Sequence, residues 1–172
     1  RRTSPTNSSG PPVGDLVGPT KLLSDFLASR SGPVNLVSDY DADGLSAAVL
    51  MESFLRRRGR PFTLRTPVQD RNIWDTPKER WLAPDAELAI VMDLGCRGDK
   101  LFPVPTLFID HHKDNPPSEG DLLYAGYHRE PVPTTAGLVW EMVQDEVPEK
   151  KWLAALGTYG DLGSKAPFEY LQ

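Results

Sequence analysis

Carboxylates and imidazoles collect at three points of this chain, each where a run of apolar β-formers stops. Residues 34–38 run into Asp39-Tyr40-Asp41-Ala42-Asp43-Gly44, residues 88–92 run into Asp93, and residues 106–109 run into Asp110-His111-His112. Carboxylate oxygens suit Mg and Mn, whereas neutral imidazole suits Mn, Zn, Fe and Co, so a mixed set points to Mn or a transition metal. Cations held this way activate water and neutralise phosphoryl oxygens. The chemistry implied is metal-dependent hydrolysis.

Asp41 and Asp43 are one residue apart between a strand and a helix. A loop can aim such a pair into one crevice, and Gly44 permits the tight turn. The competing reading is an acidic loop in which an Asp caps the next helix. Asp39 either joins the pair, holds the turn or touches substrate. Asp93-Leu94-Gly95 alone would be an ordinary strand-end turn, and its weight comes from repeating the pattern. His111 and His112 are two of only 3 histidines in the chain. Side chains of neighbouring residues diverge, so one is expected on the metal and the other toward the substrate; a solvated surface pair is the alternative. Asp161 lies between Gly160 and Gly163, in a segment expected to end a helix and to bring that carboxylate into the cleft.

These residues need a scaffold that gathers strand ends. In an open parallel sheet the strand C-termini line one crevice. Strand 34–38, helix 45–58 and strand 62–66 give the crossover of a parallel pair. Strands over 88–92 and 107–109 follow, then helices over 135–145 and 150–156. A first helix is expected from Thr20 as its cap, with Leu22, Leu23, Phe26 and Leu27 on one face and Gly32-Pro33 as its stop. Trp74 and Trp81 are expected to pack a short helix within residues 67–84, and residues 113–133 read as loop. The expected fold class is α/β, three layers with a mainly parallel central sheet flanked by helices. Residues 1–19, rich in Ser, Pro and Gly, read as a flexible tail before a single domain over 20–172.

At 172 residues and 39% apolar content, one domain can bury a core without disulfides. A formal charge of −5 argues against a stand-alone binder of nucleic acid backbone, although carboxylates gathered for cations inflate the acidic count. Cys96 has no partner for an internal disulfide, which suits a reducing compartment and a cytoplasmic location. No window is apolar enough to span a bilayer, so no membrane partner is expected. The first residue is arginine, and a motif lies close to the last, which reads as a fragment or processed form. For substrate contact, Thr134-Thr135-Ala136-Gly137 opens a helix whose N–H groups could hold a phosphate, with a plain N-cap as the alternative. Arg65, Arg71, Lys113, His128 and Arg129 are candidates for the rim of the cleft, with solvated surface charge as the default. Arg56, Arg57, Arg58 and Arg60 are assigned to the dipole at a helix end. Cys96 is a soft ligand or, by preference, a small buried residue.

Taken in order, Asp41-Ala42-Asp43-Gly44, Asp93, Asp110-His111-His112 and Gly160-Asp161 resemble the motifs of the DHH phosphoesterase superfamily, over about residues 34–163. The segment Asp39 through Ser46 is similar to the first motif of its RecJ-type nuclease branch. The resemblance implies two Mn2+ ions, with Mg2+ or Co2+ as substitutes. Asp41 and Asp93 would hold the first, and Asp43, Asp93, His111 and Asp161 the second, with Asp93 bridging. His112 would sit beside the scissile phosphate, making His112, Asp93 and Asp43 the catalytic set. Val37 stands where the family often has a histidine, which implies a weak first ion. The implied activity is a 5′ to 3′ exonuclease on single-stranded nucleic acid. The alternatives are a hydrolase of short oligonucleotides, cyclic dinucleotides or pyrophosphate, and a non-catalytic scaffold that grips single strands. Such enzymes also carry a DHHA1-type substrate domain; none is expected within these residues, leaving a further domain or a protein partner to supply it.

Overall fold

Val34–Ser38, Leu88–Met92 and Thr106–Asp110 are buried along their whole length, as continuous apolar runs must be when both faces of a parallel sheet are covered. The computed structural model describes residues 18–67 and 72–166. Residues 1–17 of the tail expected over 1–19, and the rim candidate Arg71, therefore lie outside the described residues, whereas Gly18 and Pro19 belong to the start of the first helix. The sheet comprises β1 (Val34–Ser38), β2 (Phe62–Arg65), β3 (Leu88–Met92), β4 (Thr106–Asp110) and β5 (Leu122–Ala125). Their order is β2-β1-β3-β4-β5, and every pair is parallel. Strand order reverses between β1 and β3, which makes the crevice at their C-terminal ends the place where a ligand fits.

Four helices complete the fold: α1 (Pro19–Ala28), α2 (Ala42–Arg57), α3 (Thr135–Val143) and α4 (Lys151–Leu162). One core joins Leu36, Ile90, Met92 and Ile109 of the sheet to Leu23 of α1, Leu50 and Phe54 of α2, Leu138 of α3 and Leu153 of α4. Alternate strand residues face the other way. There Val37, Val91 and Phe108 pack against Ile73, Trp81, Leu101 and Phe102. That second covering layer is irregular chain with one short 3-10 turn, Lys78–Arg80, where a short helix was expected. Buried Asn35 fastens it to β1, donating from Nδ2 to the Trp81 carbonyl (2.7 Å) and accepting the Ala83 N–H (2.9 Å).

Several boundaries differ from expectation. α1 begins at Pro19, whose fixed φ suits a first helical position, with Gly18 rather than Thr20 at the cap. α2 begins three residues before the expected Leu45, because Asp41 caps it. β5 lies inside the stretch read as loop; it is a four-residue edge strand bounded by Gly120-Asp121 and Gly126. α4 runs on through Gly157 and Gly160 to Leu162. Among the described residues, no helix is long and apolar enough to cross a membrane.

α3 is tied to β5 by a charged cluster. Glu141 accepts from the Tyr124 hydroxyl (2.6 Å) and from both terminal nitrogens of Arg129 (2.8 and 2.6 Å). Burial alone would raise the Glu141 pKa, but the Arg129 fork and the Tyr124 hydroxyl outweigh it and hold it below the usual carboxylate range. A group whose pKa is depressed by folding stabilises above its unfolded pKa, here about 4.3, and loses that contribution as pH falls through the folded value. Glu141→Gln is therefore expected to cost about 1 kcal/mol at neutral pH, a modest figure because Arg129 is partly solvated. Urea titrations of wild type and variant should converge as pH falls through and below the usual glutamate range.

Candidate metal centre

The end of β1 turns directly into α2. The Asp39 N–H donates to the Met92 carbonyl (3.2 Å), keeping the loop against β3. The Ser38 hydroxyl donates to the Gly44 carbonyl (2.5 Å), and the Gly44 N–H donates to Asp41 Oδ1 (2.9 Å). A Cβ at Gly44 would lie 2.6 Å from the Asp39 carbonyl oxygen, so only glycine lets the turn close. Asp41 therefore caps α2 with one carboxylate oxygen, and the capping and ligand readings are compatible. Asp43 is not in a loop but in the first turn of α2, fully buried.

Asp43 is held from across the cleft. Its Oδ2 accepts the Thr135 N–H and its Oδ1 the Ala136 N–H, each at 2.8 Å, at the start of α3. Its pKa is pushed up to about 6, first by burial and then by the Asp93 carboxylate, against the opposing pull of those two N–H groups. Asp93 follows β3 with φ +62°, a left-handed backbone that aspartate tolerates far better than β-branched or bulky residues. Its N–H donates to the Ile109 carbonyl (3.1 Å), and its Oδ1 accepts from the Thr135 hydroxyl (2.8 Å).

Asp110, at the end of β4, organises rather than ligates. It accepts from the Gly95 N–H (2.7 Å), the His112 N–H (2.7 Å) and His112 Nδ1 (2.8 Å). Burial would raise its pKa, yet the His112 and Gly95 hydrogen bonds outweigh that and lower it. The same bond to Asp110 lifts the pKa of this largely exposed ring to about 9. His111 points inward. Its Nε2 lies 3.5 Å from Asp93 Oδ1, 3.7 Å from Asp43 Oδ2 and 4.0 Å from Asp161 Oδ2. Those separations exceed hydrogen-bond length, and this buried nitrogen has no partner. An imidazole nitrogen without a hydrogen bond, facing three carboxylates at such distances, fits a cation between them.

Asp161 reaches this position because α4 approaches α2 and α3 very closely. Added Cβ atoms would lie 2.5 Å from Ala136 Cβ at Gly157 and 2.4 Å from Ala42 Cβ at Gly160. The glycines are thus packing residues inside the helix, not a loop that frees the carboxylate. Two ligand groupings share Asp93: Asp93 with His111 and His112, and Asp93 with Asp39 and Asp41, each with donor atoms within 4.8 Å of one another. Asp39, expected only at the turn, beside the pair or on substrate, therefore stands with Asp41. Val37 is fully buried in the opposite core layer.

Of the expected substrate contacts, Thr134 takes the N-cap alternative. The N–H groups of Thr135 and Ala136 serve Asp43, and that of Gly137 serves Thr134 Oγ1 (3.3 Å), so a phosphate at this helix start would have to displace them. Arg129 is bound to Glu141, and Arg65 donates to the Arg80 carbonyl (3.0 Å). Lys113 is exposed, and so is His128, whose ring meets Tyr127 edge-on. Arg56, Arg57 and Arg58 pair with Glu52, Glu149 and Glu146, in addition to any dipole effect. Cys96 is buried in the second core, where burial pushes its thiol pKa up. Asp110 and Thr135 were the roles least visible in sequence, since both act through partners distant along the chain or through backbone N–H groups.

The model of the DHH family, N-terminal domain, matches residues 33–160. No curated protein matches the sequence at a significant level. Among solved structures, the chain is similar to RecJ in complex with Mn2+ from Thermus thermophilus, with TM-score 0.66 and 22% identity over 92% of this chain and 26% of that one. It is also similar to CDC45 from Entamoeba histolytica, with TM-score 0.59 and 14% identity over 86% of this chain and 34% of that one. An exopolyphosphatase-related protein from Bacteroides fragilis gives TM-score 0.57 and 13% identity over 89% of this chain and 54% of that one. At these identities the likeness is one of fold. The chain spans about a quarter to a half of the length of these relatives.

Gly157→Ala tests the close approach. In an open helix the change would gain about 1 kcal/mol. Here the new methyl would sit 2.5 Å from Ala136 Cβ and 2.9 Å from Asp43 Oδ1, and overpacking of that kind costs about 1–3 kcal/mol. The clash should win. Net destabilisation in urea is expected, whereas a gain in stability would show that the helices do not meet this closely.

Proposed function

Because the chain belongs to the DHH family through its N-terminal domain, we propose that it is a phosphoesterase that hydrolyses nucleic acid phosphodiester bonds in the manner of a RecJ-like 5′ to 3′ single-strand exonuclease. One observation carries the reading: the unpartnered His111 Nε2 within 4.0 Å of carboxylates from α2, β3 and α4. Asp43, Asp93, His111 and Asp161 would hold one Mn2+, and Asp41 and Asp93, with Asp39 beside them, the other. Mg2+ or Co2+ would suit the same donors. When bound, the ions acidify water and neutralise phosphoryl oxygens.

The chain's own residues do the rest. Asp110 fixes the His112 ring through Nδ1 and raises its pKa. A fixed imidazolium donates to an oxygen on which negative charge grows during attack at phosphorus, where a pre-oriented donor counts most. The start of α3 and the close approach of α4 at Gly157 cover Asp43, and Thr135 lies on Asp93, keeping both out of bulk water, which would strengthen their hold on cations. We place the reaction in the cytoplasm, where a lone buried thiol such as Cys96 stays reduced.

A second reading is favoured by the charge distribution. Arg65 and Arg129 are committed to protein acceptors, and the formal charge is −5, so of the rim candidates among the described residues only Lys113 and His128 remain for a long strand. Short oligonucleotides, cyclic dinucleotides or pyrophosphate need less of it. Under the exonuclease reading, the grip on a long strand falls to a further domain or a protein partner.

Purified protein with MnCl2 should hydrolyse a 5′-labelled single-stranded oligonucleotide from its 5′ end, and chelation by EDTA should stop it. Asp93→Asn keeps the backbone conformation and should lower the rate at least about a hundredfold, since even outer residues of metal sites cost 10–100-fold. Preferred hydrolysis of a dinucleotide, cyclic dinucleotide or pyrophosphate in the same assay would select the second reading. Substrates left intact by wild type and Asp93→Asn alike would leave only a non-catalytic scaffold.

A further inference from the structure

Thr135 is bonded to two different acidic side chains of the metal centre, one through its backbone and the other through its hydroxyl. Its N–H donates to Asp43 Oδ2 and its Oγ1 to Asp93 Oδ1, both at 2.8 Å. We propose that Thr135 is a positioning residue of the metal centre, locking Asp43 and Asp93 in the orientation that binds cations. The inference rests on the reading of these carboxylates as metal ligands. It assigns the start of α3 to the metal rather than to a substrate phosphate.

The argument is one of orientation and repulsion. Asp43 and Asp93 are 0% and 4% exposed, and two carboxylates pressed together out of water repel each other. Each is free to rotate away unless donors hold it. For Asp43 the donors are two N–H groups at the positive end of α3. For Asp93, the Thr135 hydroxyl supplies the only hydrogen bond to the carboxylate among the described residues. Neighbouring Thr134 extends the brace, with its Oγ1 3.1 Å from Thr158 Oγ1 on α4, three residues before Asp161. A single turn of chain thus holds the carboxylates that come from α2 and from the end of β3, and touches α4 one turn before Asp161. All three leading N–H groups of α3 have protein acceptors, which leaves none for a ligand.

Thr135→Val removes the hydroxyl and keeps the shape and the backbone N–H; Thr135→Ser restores the hydroxyl. Mn2+ alone is the probe, titrated into the protein with the free ion read by its EPR signal. Thr135→Val should weaken Mn2+ binding by about 10–100-fold, the usual cost of losing a hydrogen bond behind a metal ligand, with Thr135→Ser within about threefold of wild type. A purely structural role predicts the opposite pattern: a lower melting temperature without metal and unchanged affinity for Mn2+. Should Thr135→Val fail to fold, Thr135→Ala against Thr135→Ser gives the same contrast. Thr135→Val, or Thr135→Ala in its place, binding Mn2+ within about threefold of wild type overturns the proposal. No substrate is present, so a wild type that binds Mn2+ but cleaves nothing would sink the phosphodiesterase reading and leave this one intact.

Discussion

Burying Asp43 and Asp93 side by side sets a constraint that the surrounding chain is shaped to meet. Each carboxylate loses water, and each repels the other. The partial relief visible in the protein comes from the start of α3, whose N–H groups face Asp43, and from the Thr135 hydroxyl. That requires α3 to end its approach over the crevice between β1 and β3, which the parallel strand order provides. It also requires α4 to lie almost in contact with α2 and α3, which the glycines at 157 and 160 permit. A cation between these groups and His111 would turn the remaining repulsion into attraction. The site is a locally unfavourable arrangement held in place by a well-packed fold.

The two histidines divide the work according to what sits behind them. His112 has a carboxylate, Asp110, bonded to its Nδ1, which raises its pKa, and it stands partly in solvent. His111 has no hydrogen-bonded partner at Nε2 and faces inward. Adjacent residues at a strand end point in different directions, so one dipeptide can serve the cations and the outer face of the cleft at once. Asp110 anchors both the Gly95 turn and His112, and in this way links the loops after β3 and β4.

Much of this was legible in the residues. β1 and β3 were read to the residue, because apolar runs covered on both faces leave an unbroken hydrophobic signal bounded by aspartate. The acidic residues and histidines at the strand ends were legible for the same reason. β5 was not, since Leu122–Ala125 is short, lies at the edge and is flanked by turn formers. The extent of α4 was hidden because Gly157 and Gly160 resemble a helix end locally, and only their contacts with Ala136 and Ala42 explain them. Thr134 and Thr135 were read as a helix N-cap or, less favoured, as a phosphate-binding helix start; Thr134 does cap α3, and what no local pattern showed is a carboxylate 92 residues away that occupies the Thr135 N–H group. Long-range partners of backbone N–H groups leave no mark in local composition.

The left-handed backbone at Asp93 bears on how a centre of this kind can drift during evolution. Most replacements there would strain the chain as well as remove a charge. Asparagine and glycine accept that conformation, so they are the changes through which a lineage could lose this carboxylate while keeping its architecture. In a descendant whose centre has lost its acidic character, either residue at this one position would be the expected fossil.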